Sequence, residues 1–147
     1  MSKSDAFEQD LLKLFFNATA LQNLARDAAA PDTLYVSLHT ADPGDTGTQA
    51  TSETTYTGYV RVNVVRTAGA WSVSSPGGVG TVSPVANIDF GECTAAPGAA
   101  ITHFGIGTNA TAGQAGYLLY SGTVTPNITM AVGVIPRLKT TSTITED

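Results

Sequence analysis

Leu34-Tyr35-Val36-Ser37-Leu38-His39-Thr40-Ala41-Asp42-Pro43-Gly44-Asp45-Thr46-Gly47 is the stretch whose period sets the fold class. Leu34, Val36, Leu38 and Thr40 alternate with Tyr35, Ser37 and His39. A period of two is the spacing at which a strand puts every second side chain on the same face, so the run predicts a half-buried strand. Asp42-Pro43-Gly44-Asp45 closes it, because Pro presets a turn backbone, Gly admits positive φ and Asp bonds its own main chain.

Downstream the period of two persists. Tyr59, Arg61 and Asn63 fall on one face and Val60, Val62 and Val64 on the other. Arg66-Thr67-Ala68-Gly69-Ala70 reads as a short turn into a strand with Trp71 and Val73, so 59–74 is predicted to be a β-hairpin. Ser75-Pro76-Gly77-Gly78-Val79-Gly80 is loop on composition. Further strands are predicted at 85–90, with Ile88 and Phe90 inward, and at 100–107, 117–124 and 138–145; residues 126–136 fit no single element. Seven or eight short strands without helices between them predict a mainly β fold, an antiparallel β-sandwich that is jelly-roll-like.

Upstream the period is helical. Phe7, Leu11, Leu14, Phe15 and Ala18 recur at helix spacing, Leu12 and Phe16 widen the stripe, and Asp5, Glu8, Asp10 and Lys13 mark the wet side. This predicts an N-terminal amphipathic helix over 5–17, with Ser4 as its N-cap and Asp5 and Glu8 at the positive end of its dipole. A second helical stretch is predicted from 19 to 30, ended by Pro31. The expected division is a helical segment at 1–31 and a β-sandwich domain at 32–147. Phe7, Leu11, Leu12, Phe15 and Phe16 carry more apolar surface than a helix on a small sandwich needs, so they are the candidate docking residues.

The 147 residues suffice for one domain with its own core. Hydrophobic residues reach 42%, but charged residues only 13%, about half the usual share. Threonine, at 22 positions, keeps the surface wet instead. A formal charge of -5 with seven scattered Lys and Arg excludes a phosphate-tracking surface, so neither nucleic acid nor an anionic membrane is an expected partner. The acidic start, with no apolar run of signal or membrane-span length, predicts a protein made in a cytosol. Between Thr67 and Pro136 the only charged residues are Asp89 and Glu92. Interface cores shed charge in this way, so much of that surface is expected to be covered by other subunits.

The reactive side chains form no catalytic pattern. Gly-x-Ser-x-Gly is absent, so no nucleophile elbow is marked. His39 and His103 lie inside predicted strands without ligand-pair spacing, and the structural reading, two histidines hydrogen-bonded at strand edges, outweighs zinc. Cys93 is expected to be an inert small residue, and Asp42 and Asp45 to serve a turn without calcium. Tyr56, Tyr59, Trp71, Tyr117 and Tyr120 could build a sugar platform, although so small a sandwich needs aromatics as filling. No catalytic residue, cofactor or metal site is predicted.

The order of motifs resembles a known family. After the N-terminal helix ending near Asn17-Ala18-Thr19-Ala20 come the Leu34 to Gly47 block, Ser52-Glu53-Thr54, and Tyr56-Thr57-Gly58-Tyr59-Val60-Arg61-Val62. Ile101-Thr102-His103-Phe104-Gly105-Ile106-Gly107, Leu118-Leu119-Tyr120-Ser121-Gly122 and a Thr-rich end follow. The series resembles small tailed-bacteriophage virion proteins, called tail fibre or minor tail proteins, with relatives treated as head decoration. The resemblance implies a structural component of the virion without catalysis or cofactor, at the tail, the neck or as a cement protein on the capsid. Together with the uncharged stretch it implies a homotrimer that contacts other virion proteins. A host-surface module gripping sugar or protein through loops 42–57 and 108–116 is the competing class.

Overall fold

A computed structural model of the chain describes residues 2–4, 6–7, 21, 33–74 and 80–146. Among them are ten strands: β1 (Ser2–Lys3), β2 (Thr33–His39), β3 (Val62–Val65), β4 (Trp71–Ser74), β5 (Gly80–Pro84), β6 (Ile88–Asp89), β7 (Ile101–Gly107), β8 (Leu118–Ile128), β9 (Arg137–Leu138) and β10 (Ile144–Glu146). They form a five-stranded sheet in the order β1-β8-β7-β2-β3, a three-stranded sheet β10-β5-β4 and a two-stranded sheet β6-β9. Every pairing is antiparallel. The fold is mainly β, as the alternation predicts. The five, three and two division differs from the paired four-stranded Greek keys of a jelly roll.

Register explains where the core sits. Val36 lies opposite Ile106 and Leu38 opposite Phe104, so one face of the β2–β7 pair is wholly apolar. Those four side chains join Ile88, Leu138 and Ile144 from the two smaller sheets in one cluster, with Trp71 and Val82 packed against it. Burying each such side chain contributes about 1.5–3 kcal/mol. The three sheets thus share a single core. Ile88 and Phe90 point into it as predicted, at 6% and 3% exposure.

Several expectations are corrected. β2 is not half-buried: Val36, Ser37, Leu38 and His39 are all buried, because a loop roofs the face that alternation leaves polar. Residues 59–74 are not a hairpin, since β3 pairs with β2 and β4 with β5, in separate sheets. The Arg66–Ala70 segment is instead a crossover, tightened where Thr67 O accepts from the N–H groups of Ala70 and Trp71. Turn chemistry marks a change of direction but does not choose the next partner. Trp71 is half-buried against the core, whereas Val73 on the same strand is 75% exposed. Gly80, expected to be loop, opens β5, and Thr81–Pro84, expected to lie before the next strand, complete it. The predicted 138–145 strand is split into β9 and β10 by a turn in which Ser142 N–H donates to Lys139 O at 2.9 Å.

At the N-terminus, Ser2 and Lys3 pair with Ser121 and Tyr120. Ser4 Oγ accepts from Phe7 N–H at 3.3 Å, the contact of an N-cap, and donates to Leu118 O at 2.5 Å. Ala6 and Phe7 are helical. The rest of the helix expected over 5–17, with Leu11, Leu12, Phe15 and Phe16, lies outside the described residues, as does most of 19–30. Phe7 packs edge-on against Tyr120, with ring centroids 5.6 Å apart.

Leu38 has no exposed surface and sits where the sheets meet. Leu38→Ala is expected to cost about 2–5 kcal/mol, read as a lower urea midpoint at unchanged slope.

Candidate functional site

Beyond His39 the chain turns back over the Ser37 and His39 face. Asp42 Oδ1 accepts from Gly44 N–H at 2.9 Å, which fixes the turn. The returning segment is laced to β2 where Thr40 N–H donates to Ser52 O and Thr54 N–H to Leu38 O. Gln49, fully buried, then ties three elements together. Its Nε2 donates to Tyr35 O at 3.0 Å, its Oε1 accepts from Asn109 N–H at 2.9 Å, and its main-chain N–H donates to Gly116 O. A Cβ on Gly107 or Gly116 would collide with the Gln49 carboxamide, so this approach requires glycine at both places.

Next to Gln49 lies a buried ion pair. Arg61 Nε donates to Glu53 Oε1 at 2.7 Å and one terminal nitrogen to Oε2 at 2.8 Å, a bidentate fork. The side chains are 0% and 4% exposed. The remaining guanidinium bonds go to the carbonyls of Asn109 and Gln114, both at 2.9 Å. Gly113 N–H and the Tyr59 hydroxyl donate to the Glu53 carboxylate at 2.8 and 2.7 Å. The 108–116 loop is therefore held from its underside by one charged pair. Ala110, Thr111, Gly113, Gln114 and Ala115 stay exposed on top. Loops 42–57 and 108–116, separate in sequence, form one braced platform at an end of the large sheet.

Electrostatics follow from this packing. Burial pushes Glu53 upward, but the hydrogen bonds from Arg61, Gly113 and Tyr59 outweigh it and hold the carboxyl below its usual range. Burial, reinforced by the Glu53 charge, drives the Tyr59 phenol far up. Burial lowers His39, and its bond to Thr51 O offsets this only in part.

Ser37 Oγ and His39 Nε2 lie 2.9 Å apart, and Nδ1 is 2.8 Å from Thr51 O. The carbonyl requires the proton on Nδ1, which leaves Nε2 to accept from Ser37, the arrangement of a nucleophile and its base. Both residues are 0% exposed beneath the 48–53 segment, so a substrate carbonyl has no path to Oγ. A Cβ on Gly105 would lie 2.7 Å from His39 Nε2, which shows how closely the site is packed.

The remaining predicted residues are dispersed. His103 faces His39 in register and bonds Thr102 Oγ1 at 2.8 Å. Cys93 is buried in the core. Tyr56 donates to Gly91 O, and burial raises its phenol to about 12. Its ring meets Tyr59, which stacks on Phe90, so these aromatics fill the interior. Among the described residues no three His, Cys, Asp or Glu side chains converge. Sequence reading missed Gln49, Glu53 and Arg61. The available signal was an arginine within the valine-rich alternation of 59–64, a charge that burial obliges to find a partner.

Arg61→Met strands the buried Glu53 carboxylate and is expected to cost about 3–5 kcal/mol by denaturant titration. The pH dependence is also fixed in sign. The folded value of Glu53 is depressed, so its contribution is present above the unfolded value of about 4.3 and is lost as pH falls through the folded value. His39 is depressed too, so stability declines as pH drops from about 6.5 toward its folded value. Urea midpoints measured from neutral pH to pH 5 should fall less in His39→Gln than in the parent.

No curated protein matches this chain. Residues 2–145 match the family model Gp80, described as "Podophage GP4 fiber I protein gp80". The match spans all ten strands except the last residue of β10, and both braced loops. The chain therefore belongs to this family of podophage fibre proteins and is a structural tail-fibre protein of a phage virion.

Proposed function

We propose that the chain acts as a non-catalytic, self-associating building block of the fibre, joined to its own copies and to other virion proteins. The observation that carries this is the stretch of sequence from Thr67 to Pro136, which has only Asp89 and Glu92 as charges. It also exposes Val73 at 75%, Val85 at 51%, Val132 at 66% and Ile135 at 52%. Low charge with exposed aliphatic side chains suits the core of a subunit interface. Closed symmetry is the rule for repeated parts, and the closed form proposed is the trimer implied by the family resemblance. The absence of catalysis is supported by the sealed Ser37–His39 pair and by the structural use of Glu53, Tyr59 and Arg61. Synthesis in the host cytoplasm precedes assembly.

Docking is given to the apolar stripe of the segment 1–31, apart from Ser2–Lys3, which the large sheet takes up as β1, with 32–147 as the body. Phe7 is tied to Tyr120 of its own chain, which leaves Leu11, Leu12, Phe15 and Phe16 as the apolar stripe for the neighbouring virion protein. Leu12→Asp with Phe16→Asp is expected to keep the cooperative thermal transition yet lower incorporation into phage particles at least tenfold, measured by immunoblotting purified virions. Loss of the transition would assign the stripe to the protein's own core. Sedimentation equilibrium of the unaltered protein is expected to give a trimer, and a stable monomer would overturn self-association.

A further inference from the structure

Both larger sheets end in strands whose outer side pairs with no strand among the described residues. In the five-stranded sheet these are β3 at one end and, at the other, β8 beyond Ser121, because β1 covers only Tyr120 and Ser121. In the three-stranded sheet they are β4 and β10. The free edges fall on two sides of the molecule. β3 and β4 are joined by residues 66–70 alone, a crossover kept short by the bonds to Thr67 O and Ala70 O, so their edges open together. β8 and β10 open together on the other side. A groove of about 1010 Å³ is lined there by every residue from Ser121 to Ile128 and by Thr141, Ser142, Thr143 and Thr145. A groove over a sheet face touches alternate residues of a strand, whereas consecutive lining is what an open edge gives.

The β4 edge lacks the devices that keep such an edge in water. Soluble proteins blunt an exposed edge with lysine, proline, a bulge or a covering element. Trp71-Ser72-Val73-Ser74 has no charge and no proline, and its four residues pair with β5 without a register shift. Val73 is exposed although Val82, opposite it on the same face, packs against the core. The apolar row of this sheet therefore runs on past the last strand of its own molecule. Val65 and Val85, on either side of the crossover, are exposed as well. Across the molecule, Val124 and Ile128 are half-buried along the groove, and Thr141, Thr143 and Thr145 form a neutral wall opposite them. Pro126 withholds one N–H from the β8 wall, so the main-chain ladder falls to β10.

A strand that fits beside β10 has to be short, uncharged and apolar on its core side. The chain carries one, β4, at the far edge of the same sheet. β4 and β10 are each antiparallel to β5 and so run in the same direction. A copy turned about an axis along the strands thus presents its β4 parallel to β10 of the first. We infer, building on the self-association proposed above, that copies of the chain join head to tail, β4 of one adding to β10 of the next inside the groove, with Val73 toward Val124 and Ile128. Contact between unlike patches closes into a ring when the rotation allows. In a trimer the three-stranded sheets follow one another around the axis.

Sedimentation equilibrium of four proteins and one mixture tests this surface. The unaltered chain is expected to be a trimer, and Val132→Lys, exposed in the β8–β9 connection, to remain one. Val73→Lys charges the donated edge and Thr145→Lys the receiving one. Each should give monomers that keep the cooperative thermal transition, since both positions are exposed. Mixed in equal amounts, those monomers should form a heterodimer and nothing larger, because one retains the β10 edge and the other the β4 edge. If either variant fails to fold, Ser72→Lys or Thr143→Lys takes its place on the same edge. A trimer that survives both lysines, or that Val132→Lys dissociates instead, overturns this surface and leaves self-association standing. A dimeric parent, or a mixture that stays monomeric, overturns the head-to-tail contact. A monomeric parent overturns self-association itself.

Discussion

A buried guanidinium has to be neutralised and hydrogen-bonded, and much of this fold can be read as the way Arg61 meets that requirement. Desolvating a lone charge costs more than a small domain can spare, so an arginine placed at the entrance to β3 obliges other segments to come to it. Glu53 supplies the countercharge from the segment returning along β2, and Asn109 and Gln114 supply carbonyls from the β7–β8 connection. Two loops far apart in sequence are thereby fixed against one another. A hydrophobic contact could have brought them near, but it would not have specified which carbonyl meets which N–H.

The bracing explains an otherwise odd sheet. β2 and β7 carry an apolar face made by Val36, Leu38, Phe104 and Ile106, and a polar face made by Ser37, His39 and Gly105. An antiparallel sheet ordinarily leaves such a polar face to water. Here the 48–53 segment covers it, so every polar group beneath needs an internal partner, and the Ser37–His39–Thr51 chain and the Gln49 carboxamide provide them. Gly105, Gly107 and Gly116 leave the space that this second, polar layer occupies. The molecule has an apolar core on one side of the sheet and a hydrogen-bonded one on the other.

What the sequence disclosed follows the same division. Alternation is a local property, and it located β2, β7 and the first part of β8, the inward Ile88 and Phe90, and the turn at Asp42. Pairing is a distant property. Nothing within 59–74 records that Val62 would lie opposite Val36, or that Val73 would lie opposite Val82, in another sheet. β5 was hidden because Gly80 and Pro84 are its end residues, and composition read their neighbourhood as loop. The platform was hidden for a different reason: Gln49, Glu53 and Arg61 are ordinary surface residues by type. Only the roofed face turns them into interior ones. The family, by contrast, was legible, because the order of short blocks survives even where the pairing cannot be guessed.

Threonine connects the composition to the use of the protein. Its β-branched side chain favours strands, and its hydroxyl wets a surface without adding charge. In a part repeated around a symmetry axis, a charge near the axis confronts its own copies, whereas a hydroxyl can donate to one neighbour and accept from the next. Charge is kept where it fixes geometry, at Glu53–Arg61 inside and Asp89–Arg137 across β6 and β9 outside. The low charged fraction is thus a constraint with a structural consequence: charge is reserved for fixing geometry, and hydroxyls keep the remaining surface wet.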